Sequence, residues 1–368
     1  MYRHDKRVVM TLDAGGTNFV FSAMQANKEI VEPITLPSNA DNLEKCLETL
    51  EIGFSTIKQR LPEPAVAISF AFPGPADYKN GIIMDLPNLP AFKGGVALGP
   101  FLETIFELPV YINNDGDLFA YGECIAGALP ETNHILAEAG SPKRYHNMIG
   151  FTLGTGFGCG IVRNNELFLG DNGSSGEVWL LRHKNKRDAL LEEGVAIRAI
   201  QRVYREHSGD ERFLTPKDIF LIADGAAEGN VEAAKKSYAE FGEMTAEGIA
   251  LVSTVLDGLV VIGGGLVGAK KYFMPALMAE LNGTINLYDG TPKPRLEMTV
   301  YNLDDPNDLA EFLKGTVTKI KVPKTDKLVN YDPVKRMGIV FTKLGASKAI
   351  AIGAYSFALN ELDKLNLV

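Results

Sequence analysis

RVVMTLDAGGTNFVFSAMQ, residues 7–25, is the stretch on which the fold turns. Two apolar runs, 8–12 and 19–23, flank Ala14-Gly15-Gly16-Thr17-Asn18, and Asp13 stands at the exit of the first. Two β-prone runs joined by Gly-Gly-x-Asn form a hairpin signal. The paired glycines also let backbone N–H groups come close to an anion. Taken alone, the stretch fits a plain turn more readily than a phosphate-holding loop.

The chain has 368 residues and a formal net charge of −9. That length allows two domains. The acidic balance argues against a nucleic-acid surface and against docking on anionic membranes, and fits small-molecule chemistry. Cys46, Cys124 and Cys159 are far apart and make neither a disulfide framework nor a zinc spacing, which points to a reducing, cytoplasmic compartment. The opening apolar run stops at Asp13, too soon for a signal peptide. The longest apolar tract, 249–269, is broken by Asp257, Gly258 and Gly263-Gly264-Gly265, so it reads as a buried helix, a turn and a buried strand rather than a membrane span.

Outward from the hairpin, residues 42–61 carry helical periodicity, with Leu43, Leu47, Leu50, Phe54 and Ile57 on one face. Residues 65–72 read as a strand ended by Pro73-Gly74-Pro75, and 76–95 as a turn-rich polar loop. A further strand over 109–115 leads into a helix expected over 117–129. This alternation predicts an α/β fold. The same grammar then returns: in MIGFTLGTGFGCGIVRNNELF (148–168) an apolar run meets Gly154-Thr155-Gly156-Phe157-Gly158 and a second β-run follows. Two such hairpins, one near the start of each half, suit two similar half-molecules holding a nucleotide's phosphates. A dinucleotide fingerprint would need a helix after the glycines, and 159–168 has no helical periodicity. A third glycine site, Gly263-Gly264-Gly265, joins a buried strand to a helix; it serves tight packing or the approach of a flat ligand such as adenine.

With these elements in order, the chain resembles the ROK family of sugar kinases and sugar-responsive regulators, within the actin-like, hexokinase-like ATPases. Asp13-Ala14-Gly15-Gly16-Thr17-Asn18 is similar to the family's opening phosphate motif, Leu153-Gly154-Thr155-Gly156-Phe157-Gly158-Cys159-Gly160 to its second, and Val261-Ile262-Gly263-Gly264-Gly265 to its adenosine motif. The resemblance implies a two-lobed, actin-like (ribonuclease H-like) α/β fold with a cleft between the lobes. One lobe would hold 1–114 with the last helix, about 346–368, and the other 115–345, with an insertion at about 284–342. It implies ATP-dependent phosphorylation of a hexose or N-acetylhexosamine at the 6-hydroxyl. ATP would be held by Asp13, Gly15, Gly16, Thr17, Asn18, Gly154, Thr155, Gly156, Gly264 and Gly265, with Mg²⁺ at Asp13, directly or through water. By the same match Gly74, Asn88, Leu89, Asn114, Asp115, Glu177 and Glu192 (Glu193 being its near alternative) would face the sugar, and Asp115 would be the catalytic base. Read from the residues alone, Asp115 also suits a helix N-cap.

The chain departs from the family's pattern at Leu180, where a sugar- and zinc-binding His is expected, and in the absence of a cysteine loop after it. No zinc is therefore expected, since tetrahedral zinc needs about four N or S ligands and this region offers only His183, which reads as a solvated surface residue. Trp179 reads as core or as a cover for an apolar sugar face. The basic stretch within 284–342 reads as a solvated face or an oligomer contact. A homodimer is expected from the resemblance. The other readings are a sugar-sensing regulator, for which Asp13 lies too near the start to leave room for a helix-turn-helix; a conformational ATPase, which would not need Pro87-Asn88-Leu89-Pro90; and a catalytically impaired homologue.

Overall fold

The computed structural model describes residues 1–84, 90–315 and 317–365. The chain divides into two compact units. The first comprises 1–130, 160–176 and 343–368, and the second 131–159 and 177–342.

The first unit is built on one mixed sheet. Its order is Lys28–Glu29, Asn18–Gln25, Val8–Ala14, Ala65–Ala71, Val110–Asn113, with Ile34–Pro37 also paired to Asn18–Gln25. Val8–Ala14 and Asn18–Gln25 form the antiparallel hairpin, whereas Val8–Ala14, Ala65–Ala71 and Val110–Asn113 run parallel. Strands covered on both faces are apolar almost throughout. On one face the helix Leu43–Arg60 buries Cys46, Leu50, Phe54 and Ile57. There Phe54 packs edge-on against Phe21 and Phe106, within a cluster that includes Phe19, Phe70 and Phe72. On the other face Val9, Met24 and Ala67 meet Ile352, Tyr355 and Leu359 of the helix Ala346–Leu365.

The helix expected over 117–129 starts earlier and is broken. It spans Asp115–Ala126, and Ala128–Glu138 follows as a separate helix. Asn114 is its N-cap, its side chain accepting the Gly116 N–H, so Asp115 is the first helical residue and not the cap.

The second unit carries a run of parallel strands in the order Met148–Leu153, Leu259–Gly263, Arg336–Phe341, Thr299–Asn302, within a larger mixed sheet. Its helices include Ile197–Ser208, Val231–Val255 and Lys270–Leu281. The segment 284–342 is only partly peripheral. Arg336–Phe341 is buried at every position and lies inside the sheet, while the antiparallel ribbon Thr318–Lys321 with Leu328–Tyr331 is exposed throughout. Among the described residues no helix is long and apolar enough to cross a membrane.

Candidate active site

In the first unit the parallel strands deliver their C-terminal ends to one row. Asp13 pairs with Ala71, and Ala71 pairs with Asn113. The carboxyl end of a parallel sheet is where α/β proteins place ligands. Asp13 is exposed there, and Asn114 and Asp115 follow directly from the third strand.

The turn after Asp13 has its carbonyls fastened from behind. Asn18 O accepts the Gly15 N–H at 3.0 Å, Thr17 O accepts the Ser38 N–H at 2.9 Å, and Gly16 O accepts the Ser38 hydroxyl at 2.7 Å. A Cβ on Gly15 would lie 2.8 Å from Asn18 O, whereas one on Gly16 would meet nothing within 4 Å. Glycine at 15 is thus set by the turn, and glycine at 16 keeps open space over an exposed backbone. Fastened carbonyls and uncovered N–H groups suit an anion. Ser38 is itself buried, and it was not visible as a site residue because it acts on the turn from some twenty residues away.

Asp115 is exposed, yet the protein packed around it removes enough water to push its carboxyl above the ordinary range. The Asp13 carboxylate adds to the rise, and the Gly116 N–H, donating to Asp115 Oδ1 at 2.8 Å, opposes it. A carboxylate that is reachable, anchored at a helix N-terminus and less acidic than usual is fitted to take a proton. Asn114 Nδ2 reaches the Tyr78 hydroxyl at 3.5 Å, and that hydroxyl donates to Phe72 O at 2.9 Å. A Cβ on Gly74 would fall 2.9 Å from the same hydroxyl. Tyr78 therefore links the Gly74 loop to the helix that carries Asp115, a role its sequence context did not signal. Asn88 and Leu89 lie outside the described residues.

In the second unit the 154–156 turn follows Met148–Leu153, the neighbour of Leu259–Gly263. Gly264, at φ +98°, packs against that turn's base: a Cβ there would sit 2.3 Å from Leu153 O, while one on Gly265 would meet nothing within 4 Å. The phosphate-like and adenosine-like motifs thus stand side by side at the ends of adjacent parallel strands. Gly154 N donates to Gly156 O at 3.1 Å, and Ile197 N to Gly154 O at 3.0 Å. Glu192 accepts the Phe157 N–H at 2.8 Å and pairs with Arg198 at 2.8 Å. Glu177 is exposed and accepts the indole N–H of Trp179.

One of the two readings of Trp179 falls, and His183 differs from its sequence reading. Trp179 is 36 % exposed and is not a core residue, because it sits on a short 3₁₀ turn, Val178–Leu180, that leaves its ring outward. His183 is buried rather than solvated. Its ring packs near Gly194 and its Nδ1 accepts the Asn185 N–H at 3.1 Å, so burial and the nearby Arg202 and Lys186 hold its pKa below the usual value. Among the described residues no group of three or more His, Cys, Asp or Glu is placed to hold a metal ion.

Comparison with known proteins decides the lineage: the ROK family pattern matches residues 9–306. The chain belongs to the ROK family. A glucokinase from Parabacteroides distasonis, known by crystal structure, is 56 % identical over 98 % of this chain and 99 % of its own, with a TM-score of 0.90. An N-acetyl-D-glucosamine kinase from Vibrio cholerae is 27 % identical over 69 % of this chain and 83 % of its own. A ROK family glucokinase from Streptomyces griseus, crystallised with glucose and AMPPNP, is 16 % identical over 94 % of this chain and 98 % of its own, with a TM-score of 0.57, and shares the fold. This ROK protein accordingly has the α/β, actin-like two-lobed ATPase fold.

Proposed function

We propose that this chain, an ATP-dependent sugar kinase of the ROK family, transfers the γ-phosphoryl group of ATP to the 6-hydroxyl of a hexose or N-acetylhexosamine, with Asp115 as general base. The observation that carries the reading is Asp115 itself: a reachable carboxylate with a raised pKa, beside the sheet row that also ends in Asp13.

A sugar hydroxyl is a weak nucleophile. Asp115 aligns it and accepts its proton as the O6–P bond forms and the bond from the γ-phosphorus to the bridging oxygen breaks, leaving ADP. Asn114, held by Tyr78, and Gly74 position the sugar, with Glu177, Asn88 and Leu89 as further contacts. The uncovered turns at Gly15, Gly16, Thr17 and Asn18 and at Gly154, Thr155 and Gly156 hold phosphate oxygens, and Gly264 and Gly265 give the nucleoside a flat, side-chain-free approach. Asp13 is an oxygen donor suited to Mg²⁺, a hard cation that keeps several waters and neutralises phosphate charge when bound. The reading includes a homodimer, which rests on the resemblance alone and is checked by light scattering, and a cytoplasmic location, which rests on the cysteine spacing.

The test is ADP release with Mg²⁺–ATP over a panel of hexoses, ketoses and N-acetylhexosamines, followed by NMR of the product. Sugar-dependent ADP and a phosphate on O6 are expected. Phosphate on another oxygen, or ADP release indifferent to every sugar, overturns the reading.

A further inference from the structure

Trp179 is the one tryptophan of the chain, and it stands on a turn that is fastened from behind. Leu180 N donates to Glu177 O at 3.1 Å, and Leu181 N to Val178 O at 3.0 Å. Val178 is buried and anchors the turn, whereas Trp179 is exposed and Leu180 is 54 % exposed. Tryptophan is highly buried on average. Here its ring and the neighbouring leucine are held out from a fixed backbone, which lowers the ordering cost of any contact they make.

The indole N–H of Trp179 donates to Glu177 Oε2. Among the described residues the other oxygen, Oε1, has no partner. A hydrogen bond to an ionised carboxylate is a strong one and fixes both groups. It sets the ring beside the carboxylate and leaves Oε1 to accept a hydroxyl. A molecule whose hydroxyl sits on Oε1 is then one carboxylate away from the indole and lies along it. A sugar ring has the matching chemistry, with hydroxyls around its rim and C–H groups on its faces. The face of an aromatic ring is negative and attracts such hydrogens, and the indole adds a large apolar area. Leu180 adds a second apolar side chain next to it on the turn.

We propose that Trp179 is a sugar-binding residue whose ring stacks on the C–H face of a cyclic sugar while Glu177 accepts one of that sugar's hydroxyls. The inference rests on the reading of Glu177 as a sugar contact. It gives the indole N–H a task as well, since that bond orients the carboxylate and the ring together.

The experiment is fluorescence titration of the full chain with each sugar of the hexose, ketose and N-acetylhexosamine panel, exciting tryptophan selectively, with calorimetry in parallel. No other indole contributes to the signal, because the chain has one tryptophan. A sugar that binds is expected to shift the emission to shorter wavelength and to shield it from quenching by acrylamide, with the same midpoint as in calorimetry. Trp179→Ala is expected to raise sugar KM at least about tenfold, the scale of a well-packed tryptophan contact. Trp179→Phe keeps a ring while losing the N–H, and is expected to recover most of that loss. Both variants should melt close to the parent, because the replaced side chain is exposed. Sugar binding seen by calorimetry with unchanged emission and quenching overturns the proposal. So does a sugar KM in Trp179→Ala within about twofold of the parent's, as for a side chain the sugar does not touch. Equal impairment of Trp179→Phe and Trp179→Ala overturns it too, because the N–H would then matter only as a support for Glu177. A chain that binds no sugar of the panel in calorimetry fails the sugar-kinase reading itself and takes the proposal with it, so the two failures are told apart.

Discussion

Gly122 lies directly against the backbone of Ala349: a Cβ on Gly122 would fall 1.9 Å from the Ala349 carbonyl oxygen. The contact is reciprocal along the same crossing, since a Cβ on Gly353 would fall 1.9 Å from Leu118 O. The helix that begins at Asp115 is thereby seated on the helix Ala346–Leu365, backbone to backbone. Replacing a helical glycine with alanine ordinarily stabilises by about 1 kcal/mol. Here overpacking reverses the sign, and Gly122→Ala is expected to lose about 1–3 kcal/mol or more in urea unfolding. It should also lower kcat, as misplacing a reacting group by about 1 Å costs about a hundredfold. A more stable, fully active variant would show that the crossing does not fix Asp115.

Ser38 supports the first glycine turn as the 192–198 segment supports the second. Its hydroxyl reaches Gly16 O at 2.7 Å, while its own N–H holds Thr17 O. Ser38→Ala removes one of these bonds and keeps the other. KM for ATP is expected to rise about two- to tenfold, the range of one lost neutral hydrogen bond, with sugar KM unmoved. Initial-rate kinetics with each substrate varied in turn would show the split, and an unchanged KM for ATP would contradict it.

The raised carboxyl of Asp115 has two consequences. As the base it must be ionised, so the acid limb of kcat/KM is expected above the ordinary aspartate value of 3.8. Between that value and the raised one, the folded state binds more protons than the unfolded chain. Stability therefore falls as pH rises through this window. Asp115→Asn is expected to raise Tm above that window while lowering kcat about 10²- to 10⁴-fold. A variant less stable than the parent would mean that the carboxylate is held favourably.

His183 works with the opposite sign. Its pKa is lowered by burial and by Arg202 and Lys186, with Glu193 partly opposing. Below the ordinary value of 6.5 the unfolded chain binds the extra proton, so stability is lost as pH falls through 6.5 toward the lowered value. Nδ1 accepts the Asn185 N–H, and protonation would end that bond. Urea midpoints measured from about pH 7 down to about pH 5 should fall in the parent and flatten in His183→Asn. Parallel profiles would assign the pH dependence to another group.

Much of this was legible before any coordinates. The two hairpins, the strand at 259–263 and the helix at 43–60 announce themselves through apolar periodicity and glycine, which are local properties. Asp115 was singled out through the family resemblance, since read from the residues alone it also suited a helix N-cap. What stayed hidden depends on partners distant in sequence. Ser38 and Tyr78 act through hydrogen bonds to other segments, and neither carries a motif. Arg336–Phe341 reads as a strand, but nothing local says that it enters the sheet beside Leu259–Gly263. Charged neighbours made His183 look solvated, whereas its burial is decided by the packing of 194–202 and the helix Val231–Val255. The partners of Glu192 could not be read from spacing, because they depend on which way one short helix, Glu192–Val195, faces.

The most direct measurement is sugar-dependent ADP release by the unmodified chain and by Asp115→Asn, at saturating ATP and with the best sugar of the panel. Loss of general-base assistance should lower kcat about 10²- to 10⁴-fold. Binding of Mg²⁺–AMPPNP should be unchanged, because the role proposed for Asp115 is on the sugar hydroxyl and not on the nucleotide. Turnover in Asp115→Asn close to that of the parent would contradict the account at its centre.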